Sequence, residues 1–186
     1  LMRRLIEMLS TMPFRVIVSM GPCHEELELA ANMVVAEFLP QTRILPLVDL
    51  VITHGGNNTT TEALHFGKPM VVLPLFWDQY DNAQRLHETG LGARLDTYAC
   101  TRDELHQTIG RSIREARRSR ALTLKQLARR TKLSVSLLSQ IERAASFHRD
   151  NIRIERETIA KVQLTDDAWT WLRGVPNPGT HIPGVL

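Results

Sequence analysis

Residues 49–79 read DLVITHGGNNTTTEALHFGKPMVVLPLFWDQ, and this stretch decides the fold. It opens with the apolar run Asp49–Thr53, turns at Gly55–Gly56, and continues with helical spacing from Thr59 to Phe66. A second short apolar run, Pro69–Leu73, follows. Short apolar runs that alternate with helices are typical of a parallel sheet covered on both faces. The stretch therefore predicts an α/β fold.

The same alternation continues on both sides of this stretch. The flanking elements predicted are a helix at 2–10, strands at Phe14–Met20 and Met33–Phe38, and a helix at Asp78–Thr89. The pattern changes near Thr101, which together with Glu104 three residues on predicts a capped helix over Arg102–Arg118. Two shorter helices are predicted at 123–130 and 134–143. The chain thus passes from an α/β part to an all-α part.

Polar residues follow two of the predicted strands. In parallel sheets ligands bind at the carboxyl ends of the strands, where His54 and Trp77–Gln79 lie. Gly55–Gly56 let the backbone approach a bulky anion, and the next helix offers free N–H groups and a favourable dipole. This arrangement predicts a diphosphate site. The alternative is a strand-to-helix turn in which Asn58 or Thr59 only caps the helix.

Residues 1–108 closely resemble the donor-binding part of the UDP-glycosyltransferase superfamily, nearest to bacterial enzymes that glycosylate macrolides and other natural products. The blocks that carry the resemblance are, in order, FLPQ at 38–41, HGGNNTTTEAL at 54–64, GKPM at 67–70, PLFWDQ at 74–79 and NAQR at 82–85. The resemblance implies a Rossmann-like parallel sheet, the C-terminal half of a GT-B fold.

The resemblance also implies a nucleoside-diphosphate sugar as partner and a role for each matching residue. Phe38 would stack on the nucleobase, where the family usually has Trp, and Gln41 would bond near the base or ribose. The other implied donor contacts are His54, Gly56, Asn57, Asn58 and Thr59 to the diphosphate, Glu62 to the ribose, and Asp78 and Gln79 to the sugar hydroxyls. Two alternatives stay open: Glu62 as a plain solvated helix position, and Asp78 as only an N-cap. Trp77 we interpret as a loop anchor.

Parts of the family pattern have no counterpart in these residues. The chain opens on Leu1, from which we expect a partial chain, beginning at the helix that follows the first strand of the donor domain. The acceptor domain and its catalytic His–Asp pair have no match, so we assign no catalytic residue. Losing a central strand would leave N–H and C=O groups unpaired on both neighbours. Either a register shift closes that gap or a partner chain supplies the strand.

Charge is divided unevenly along the chain. Residues 1–108 carry 8 Lys/Arg and 13 Asp/Glu, whereas residues 109–157 carry 13 Lys/Arg and 5 Asp/Glu. A strongly basic stretch suits a polyanionic partner. Within it, Thr123 and Ser134 are suitable N-caps for two short helices that share an apolar face.

Residues 109–143 resemble a Cro/repressor-like (XRE-type) helix-turn-helix, with LSQIER at 138–143 typical of it. The resemblance implies double-stranded DNA as a partner, with the second helix in the major groove. The residues it assigns to DNA are Thr123, Gln126, Ser134, Ser136, Ser139 and Gln140, with phosphate contacts from Gln126 and the Arg/Lys cluster. A basic solvated helical hairpin is the alternative.

We therefore predict three units: a donor domain at 1–108, a helix-turn-helix at 109–145 and an unassigned remainder at 146–186. The leading hypothesis is a glycosyltransferase-type domain fused to a DNA-binding type of module. A transcription regulator that uses the first unit as sensor or dimerisation module is one alternative, and a hybrid whose helices complete the core is another. We expect no cofactor or metal, no membrane span, a cytoplasmic location, and a second copy or an acceptor domain as further partners.

Overall fold

A computed structural model describes residues 1–21, 29–131 and 133–144. The elements in chain order are α1 (Met2–Ser10), β1 (Val16–Ser19), β2 (Met33–Ala36), α2 (Gln41–Ile44), β3 (Val51–Thr53), α3 (Asn57–His65), β4 (Met70–Val72), α4 (Asp78–Glu88), β5 (Gly92–Arg94), α5 (Arg102–Ser119), α6 (Leu124–Thr131) and α7 (Val135–Arg143). The predicted remainder at 146–186 lies outside the described residues. None of the helices described is both long and apolar enough to cross a membrane.

The strands form two parallel sheets, which confirms the predicted α/β class. One sheet pairs β1 with β2, and the other has the order β3-β4-β5. Strands β1 and β3 are not paired with each other, so each is an edge strand among the residues described. Of the two alternatives for the gap, a register shift that pairs β1 with β3 is not what the described residues show.

Strand β4 is the centre of the core, because its side chains alternate between two apolar clusters. Val71 packs with α1 and α5 through Leu5, Leu9, Leu105 and Ile109. Met70 and Val72 point to the opposite face, where the cluster partners are Leu45, Ala63, Ala83 and Leu86. Helices therefore cover both faces of the β3-β4-β5 sheet, as the continuous apolar runs predict.

Helix α5 begins with the predicted capping box. The Glu104 N–H donates to Thr101 Oγ1 at 3.2 Å, and the Thr101 N–H donates to Glu104 Oε2 at 2.6 Å. Gly110 does not interrupt this helix. A Cβ at Gly110 would collide with the carbonyl oxygen of Ile141, so the glycine permits the close crossing of α5 and α7.

Helices α6 and α7 occur at the two predicted positions and are capped by the predicted residues. Thr123 Oγ1 accepts the Gln126 N–H at 3.2 Å, and Ser134 Oγ accepts the Leu137 N–H at 3.0 Å. Ala128, Leu133 and Leu138 form a small apolar cluster between the helices. The main packing of α7 is against α5 and α6 rather than against the sheet. The hybrid alternative, in which these helices fill the α/β core, is thus not the arrangement seen.

Buried His106 makes folding sensitive to pH. It is 4% exposed and meets the Phe14 ring edge-on with centroids 5.9 Å apart. Burial first, and the nearby positive charge of Arg102 second, lower the pKa of His106 below its ordinary 6.5. The unfolded chain therefore takes up this proton first as the pH falls. The contribution of neutral His106 to the free energy of unfolding is complete above pH 6.5. It is lost progressively below pH 6.5, down to the lower pKa that His106 has in the folded state.

We expect the difference in unfolding free energy between the unaltered chain and His106→Leu to shrink as the pH is lowered through 6.5. Urea titrations at several pH values measure it. His65→Gln, at an exposed position, is the matched control for the removal of a histidine. A His106→Leu curve parallel to that of the unaltered chain would contradict the prediction.

Candidate functional site

The site is built at the start of α3, directly after β3. Gly56 is the N-cap residue, and no side chain caps the helix there. The first helical hydrogen bond runs from the Thr60 N–H to the Gly56 oxygen at 3.0 Å. The N–H groups of Asn57, Asn58 and Thr59 consequently have no partner within the helix. Because helix N-termini carry partial positive charge, these amides form an anion-binding arrangement, although α3 begins two residues earlier than predicted.

Gly55 fixes the path of the loop into α3. Its φ is +89°, and a Cβ there would lie 2.8 Å from Val72 Cγ1 and 3.3 Å from the Gln79 carbonyl oxygen. Only glycine fits this conformation and this space without strain. The Gly55 N–H donates to Thr53 Oγ1 at 3.2 Å, which ties the loop to β3. The glycine therefore brings the β3–α3 loop against β4 and α4.

His54 is exposed at the mouth of this loop. Its Nδ1 accepts the Gly56 N–H at 3.1 Å. In the neutral ring the proton must then be on Nε2, which is the nitrogen left to donate outward. His54 can thus offer an N–H to an anion held by the start of α3.

Gln41, Thr59 and Glu62 form one hydrogen-bonded group. Gln41 Nε2 donates to Glu62 Oε2 at 2.7 Å and lies 3.2 Å from Thr59 Oγ1, while the Thr59 hydroxyl lies 3.3 Å from Gln41 Oε1. Three of the predicted donor residues, from α2 and α3, are therefore brought together. Glu62 is held in place by this contact, so its interpretation as a plain solvated position is wrong.

Gln79 is almost entirely buried at 5% exposure, and it organises the loop between β4 and α4. Its Oε1 accepts the Leu75 N–H at 2.9 Å and the Phe76 N–H at 3.4 Å. Of its two polar atoms, the amide nitrogen remains for a sugar hydroxyl. The predicted role of Gln79 in sugar binding is compatible with this geometry only through that nitrogen.

Asp78 and Trp77 differ from their predicted structural roles. Helix α4 begins at Asp78 and its N-cap is Trp77, so the N-cap interpretation of Asp78 is wrong. Asp78 is exposed in the first turn, where a negative charge is favoured by the helix dipole. Trp77 is 84% exposed and makes a ring contact with Phe76, so it does not anchor the loop. Phe38, at 65% exposure, lies on the loop after β2, outside the Gln41 group.

Asn82 on α4 belongs to the site, although the sequence assigned it no role. Its Nδ2 donates to the Gly55 oxygen at 2.9 Å and to Asn57 Oδ1 at 2.8 Å. These contacts clamp the β3–α3 loop to α4. The signal in the sequence is its position in the last of the family-like blocks, at 82–85.

The residues assigned to DNA lie on α6 and α7, in the turn between them, and at Thr123 directly before α6. Ser136 is exposed, whereas Ser139 and Gln140 are partly buried. Thr123 and Gln126 are exposed and bonded to each other, since the Thr123 N–H donates to Gln126 Oε1 at 2.7 Å. Ser134 is also exposed, but its hydroxyl is used as the cap of α7.

Two members of the basic cluster face inward. Arg117 donates to both carboxylate oxygens of Glu142, at 2.5 and 2.9 Å, and Arg114 bonds the Glu142 carbonyl oxygen. Lys125, Arg129 and Arg130 are exposed on α6. The prediction that the whole Arg/Lys cluster contacts phosphates therefore does not fit Arg114 and Arg117, which bond Glu142 instead.

Parallel strands, helices on both faces and a glycine-containing loop at the carboxyl edge define a Rossmann-like α/β domain. Solved structures similar to it are glycosyltransferases of the GT-B fold. The glycotransferase of kitacinnamycin matches with a TM-score of 0.55 and 26% identity over 75% of this chain and 33% of its own. The spinosyn forosaminyltransferase SpnP matches with a TM-score of 0.56 and 26% identity over 86% of this chain and 38% of its own.

The family model described as UDP-glucoronosyl and UDP-glucosyl transferase matches residues 3–131, and the chain belongs to this family. The match includes α5 and α6 and so passes the predicted unit boundary at 108. NDP-glycosyltransferase YjiC of Bacillus subtilis is 37% identical over 99 residues, 52% of this chain and 25% of that protein. UDP-glucuronosyltransferase 3A2 of Mus musculus is 35% identical over 95 residues, 50% of this chain and 18% of that protein. The chain thus spans a quarter or less of these two relatives.

Proposed function

We propose that this chain is the donor-binding half of a glycosyltransferase and holds a nucleoside-diphosphate sugar at the start of α3. The observation that carries the proposal is the uncapped helix start behind Gly55, with the N–H groups of Asn57–Thr59 free of helical partners. Membership of the family and the likeness to GT-B glycosyltransferases support it. The sequence places the donor unit at 1–108, and the match of the family model through residue 131 supports a unit that also includes α5 and α6.

Each part of the site has a distinct role in this proposal. The α3 amides and His54 Nε2 bind the diphosphate, and Glu62, held by Gln41, accepts hydrogen bonds from the ribose hydroxyls. Asp78 and the Gln79 amide nitrogen bind the sugar, while Phe38 covers the base. During transfer the acceptor nucleophile forms a bond to the anomeric carbon and loses its proton to a base of the acceptor-binding unit. The bond from that carbon to the phosphate oxygen breaks, and negative charge grows on the departing diphosphate. Preorganised amides stabilise that charge as it develops. The acceptor would be bound by another unit, in the same polypeptide or a separate one.

Titration calorimetry with UDP-glucose and dTDP-glucose tests the proposal directly. We expect saturable heat with at least one of them, from protein that circular dichroism shows to be folded. An absence of heat at millimolar ligand from such protein would refute donor binding.

Replacing Glu62 with alanine should weaken donor binding by about ten- to a hundredfold, because hydrogen bonds to a charged group contribute about 1.5–3 kcal/mol each. The matched control is Glu88→Ala. Glu88 also accepts from a glutamine, Gln84 Nε2 at 2.6 Å, but it lies at the far end of α4. The control should bind as the unaltered chain does. Equal losses in the two variants would assign the effect to general destabilisation instead of to ribose recognition.

A second candidate function is binding of double-stranded DNA by residues 109–143, as a helix-turn-helix unit at 109–145. The supporting observation is that the apolar cluster joins α6 to α7, with Ser136 and the basic face of α6 exposed. In this proposal Ser136, Ser139 and Gln140 meet base edges, and Thr123, Gln126 and Ser134 lie at the groove.

Fluorescence anisotropy of a labelled mixed-sequence duplex measures the binding constant at several NaCl concentrations. The logarithm of the binding constant should fall linearly with the logarithm of the NaCl concentration. Lys125→Gln should reduce the magnitude of the salt slope by about 1, because one phosphate contact is lost. Arg85→Gln on α4, also exposed, should leave the slope unchanged. No binding to the duplex, or a response independent of salt, would count against the DNA function.

A further inference from the structure

Trp77 has a backbone conformation that favours glycine. Its φ is +50° and its ψ is −130°, and the Gln79 N–H donates to the Phe76 oxygen across it at 3.2 Å. These are the angles of the first central residue of a type II′ turn, which is usually glycine because a side chain is strained there. The chain instead carries the largest of the standard side chains at this position, at a cost in stability.

The strained turn directs the indole of Trp77 into solvent. The side chain is 84% exposed, although tryptophan has a large apolar surface to bury. The Phe76 ring meets it edge-on, with centroids 5.3 Å apart and an interplanar angle of 80°, which leaves at least one indole face open. The Trp77 side chain also makes no hydrogen bond that caps α4. Neither core packing nor capping therefore accounts for a tryptophan in this turn.

The open indole lies beside the proposed donor site. A Cβ at Gly55 would lie 3.9 Å from Gln79 Cα, so the first turn of α4 touches the loop that leads into α3. Trp77 precedes Gln79 by two residues, and two peptide units span at most about 8 Å. Asp78 and Gln79, which we assign to the sugar hydroxyls, directly follow Trp77. Trp77 is thus within reach of the sugar of a donor whose diphosphate is held at the start of α3.

We propose that Trp77 is a specificity-determining residue of the donor site, and that its indole covers one face of the donor's pyranose ring. This inference rests on the proposed function and adds the class of sugar that the site selects. A pyranose with equatorial hydroxyls, such as glucose, presents axial C–H groups on its faces. The negative face of an aromatic ring attracts the partial positive charge of such groups. Asp78 and Gln79 then bind hydroxyls at the edge of the sugar ring while Trp77 covers a face.

Calorimetry with UDP and UDP-glucose, and with dTDP and dTDP-glucose, separates the sugar contact from the diphosphate contact. We expect Trp77→Gly to bind the nucleotide sugar about tenfold more weakly and the bare nucleotide as tightly as the unaltered chain does. Covering one indole face removes on the order of 60 Å² of apolar surface from water, which corresponds to about a tenfold change in affinity. Since UDP and dTDP lack the sugar, a loss limited to the nucleotide sugar assigns the effect to the pyranose.

The same variant should be more stable than the unaltered chain, because glycine adopts the turn without strain. We expect its Tm, measured by circular dichroism, to rise by about 2–4 °C. A variant that unfolds at a higher temperature yet binds the sugar less tightly does not owe the loss to destabilisation. Trp77→Phe keeps an aromatic face and should recover part of the affinity. Tyr98→Ala removes another exposed aromatic side chain, after β5, and should leave all four affinities unchanged.

The possible failures are distinguishable from one another. If UDP or dTDP binds and Trp77→Gly binds the nucleotide sugar as tightly as the unaltered chain, the sugar contact is refuted and the donor proposal stands. Equal losses of affinity for the bare nucleotide and the nucleotide sugar would also refute the contact, because Trp77 would then only position the loop. If the folded, unaltered chain binds none of the four compounds, the donor proposal falls and this inference falls with it.

Discussion

Replacing Gly55 with alanine should weaken donor binding by about a hundredfold and lower the free energy of unfolding by about 3 kcal/mol. Two costs coincide at this position. A φ of +89° is strained for any residue with a Cβ, and such strain costs about 1–3 kcal/mol. The new Cβ would also lie 2.8 Å from Val72 Cγ1, and overpacking of a core costs about 1–3 kcal/mol.

Relief of this strain requires the loop to move, and the loop positions the site. The carbonyl of Gly55 is clamped by Asn82, which also bonds Asn57 at the first turn of α3. A shift of the Gly55 backbone therefore moves the amides that would hold the diphosphate. A hydrogen bond to a charged group contributes about 1.5 kcal/mol or more, and each 1.4 kcal/mol is a factor of ten in affinity. The loss of two amide hydrogen bonds to the diphosphate therefore weakens binding by about a hundredfold.

Gly90→Ala is the matched control for Gly55→Ala. Gly90 also has a positive φ, +71°, but a Cβ there would meet nothing within 4 Å, and it lies beyond the far end of α4. The control should lose about 1 kcal/mol of stability from strain alone and keep its donor affinity. If Gly55→Ala matched Gly90→Ala in both stability and affinity, the loop would not have the role given to it.

Most of the fold follows from local sequence patterns, and the exceptions have physical causes. Apolar runs and N-caps located α1, α5 and the strands other than β5, because those signals are carried by adjacent residues. The three-residue strand β5 starts with glycine and ends with arginine, so it carries no apolar run of its own. Its place is set by pairing with Met70–Val72 of β4. Helix α2 begins directly after Pro40 and is only four residues long, which is too short for a helical repeat of apolar residues to show in the sequence.

The candidate site was predictable as a set of residues but not as a geometry. The approach of Gln41 to Glu62 joins residues 21 positions apart, and no periodicity encodes it. The clamp by Asn82 spans 27 positions and depends on how α4 packs beside the loop. Trp77 illustrates the opposite error, because an aromatic residue in a loop suggested burial while the backbone directs it to solvent. Contacts between elements depend on packing, which single-sequence patterns do not contain.

Removing the carboxylate of Glu142 should release α7 from α5. Glu142 is 6% exposed and receives two hydrogen bonds from Arg117, with Arg114 Nε 3.6 Å away. Glu142→Ala leaves two partly buried guanidinium groups without their counter-charge. Breaking a buried ion pair from one side costs about 3–5 kcal/mol. We expect a loss of about 3 kcal/mol in urea unfolding of the helical part, and faster amide exchange in α7 than in α4.

The double variant Arg117→Met, Glu142→Leu separates the charge effect from simple loss of packing. It removes the charges of Arg117 and Glu142 and keeps apolar volume, and such replacements of buried pairs are often neutral or stabilising. Arg114 is 34% exposed and keeps its bond to the backbone carbonyl at position 142. We therefore expect it to recover most of the stability lost in Glu142→Ala. Recovery would also show that the ion pair orients α7 where it crosses α5 at Gly110, but that the packing of the two helices does not depend on the pair for its stability. A double variant as unstable as Glu142→Ala would mean instead that α7 is held by the pair itself, and that the close approach of Gly110 to Ile141 contributes little.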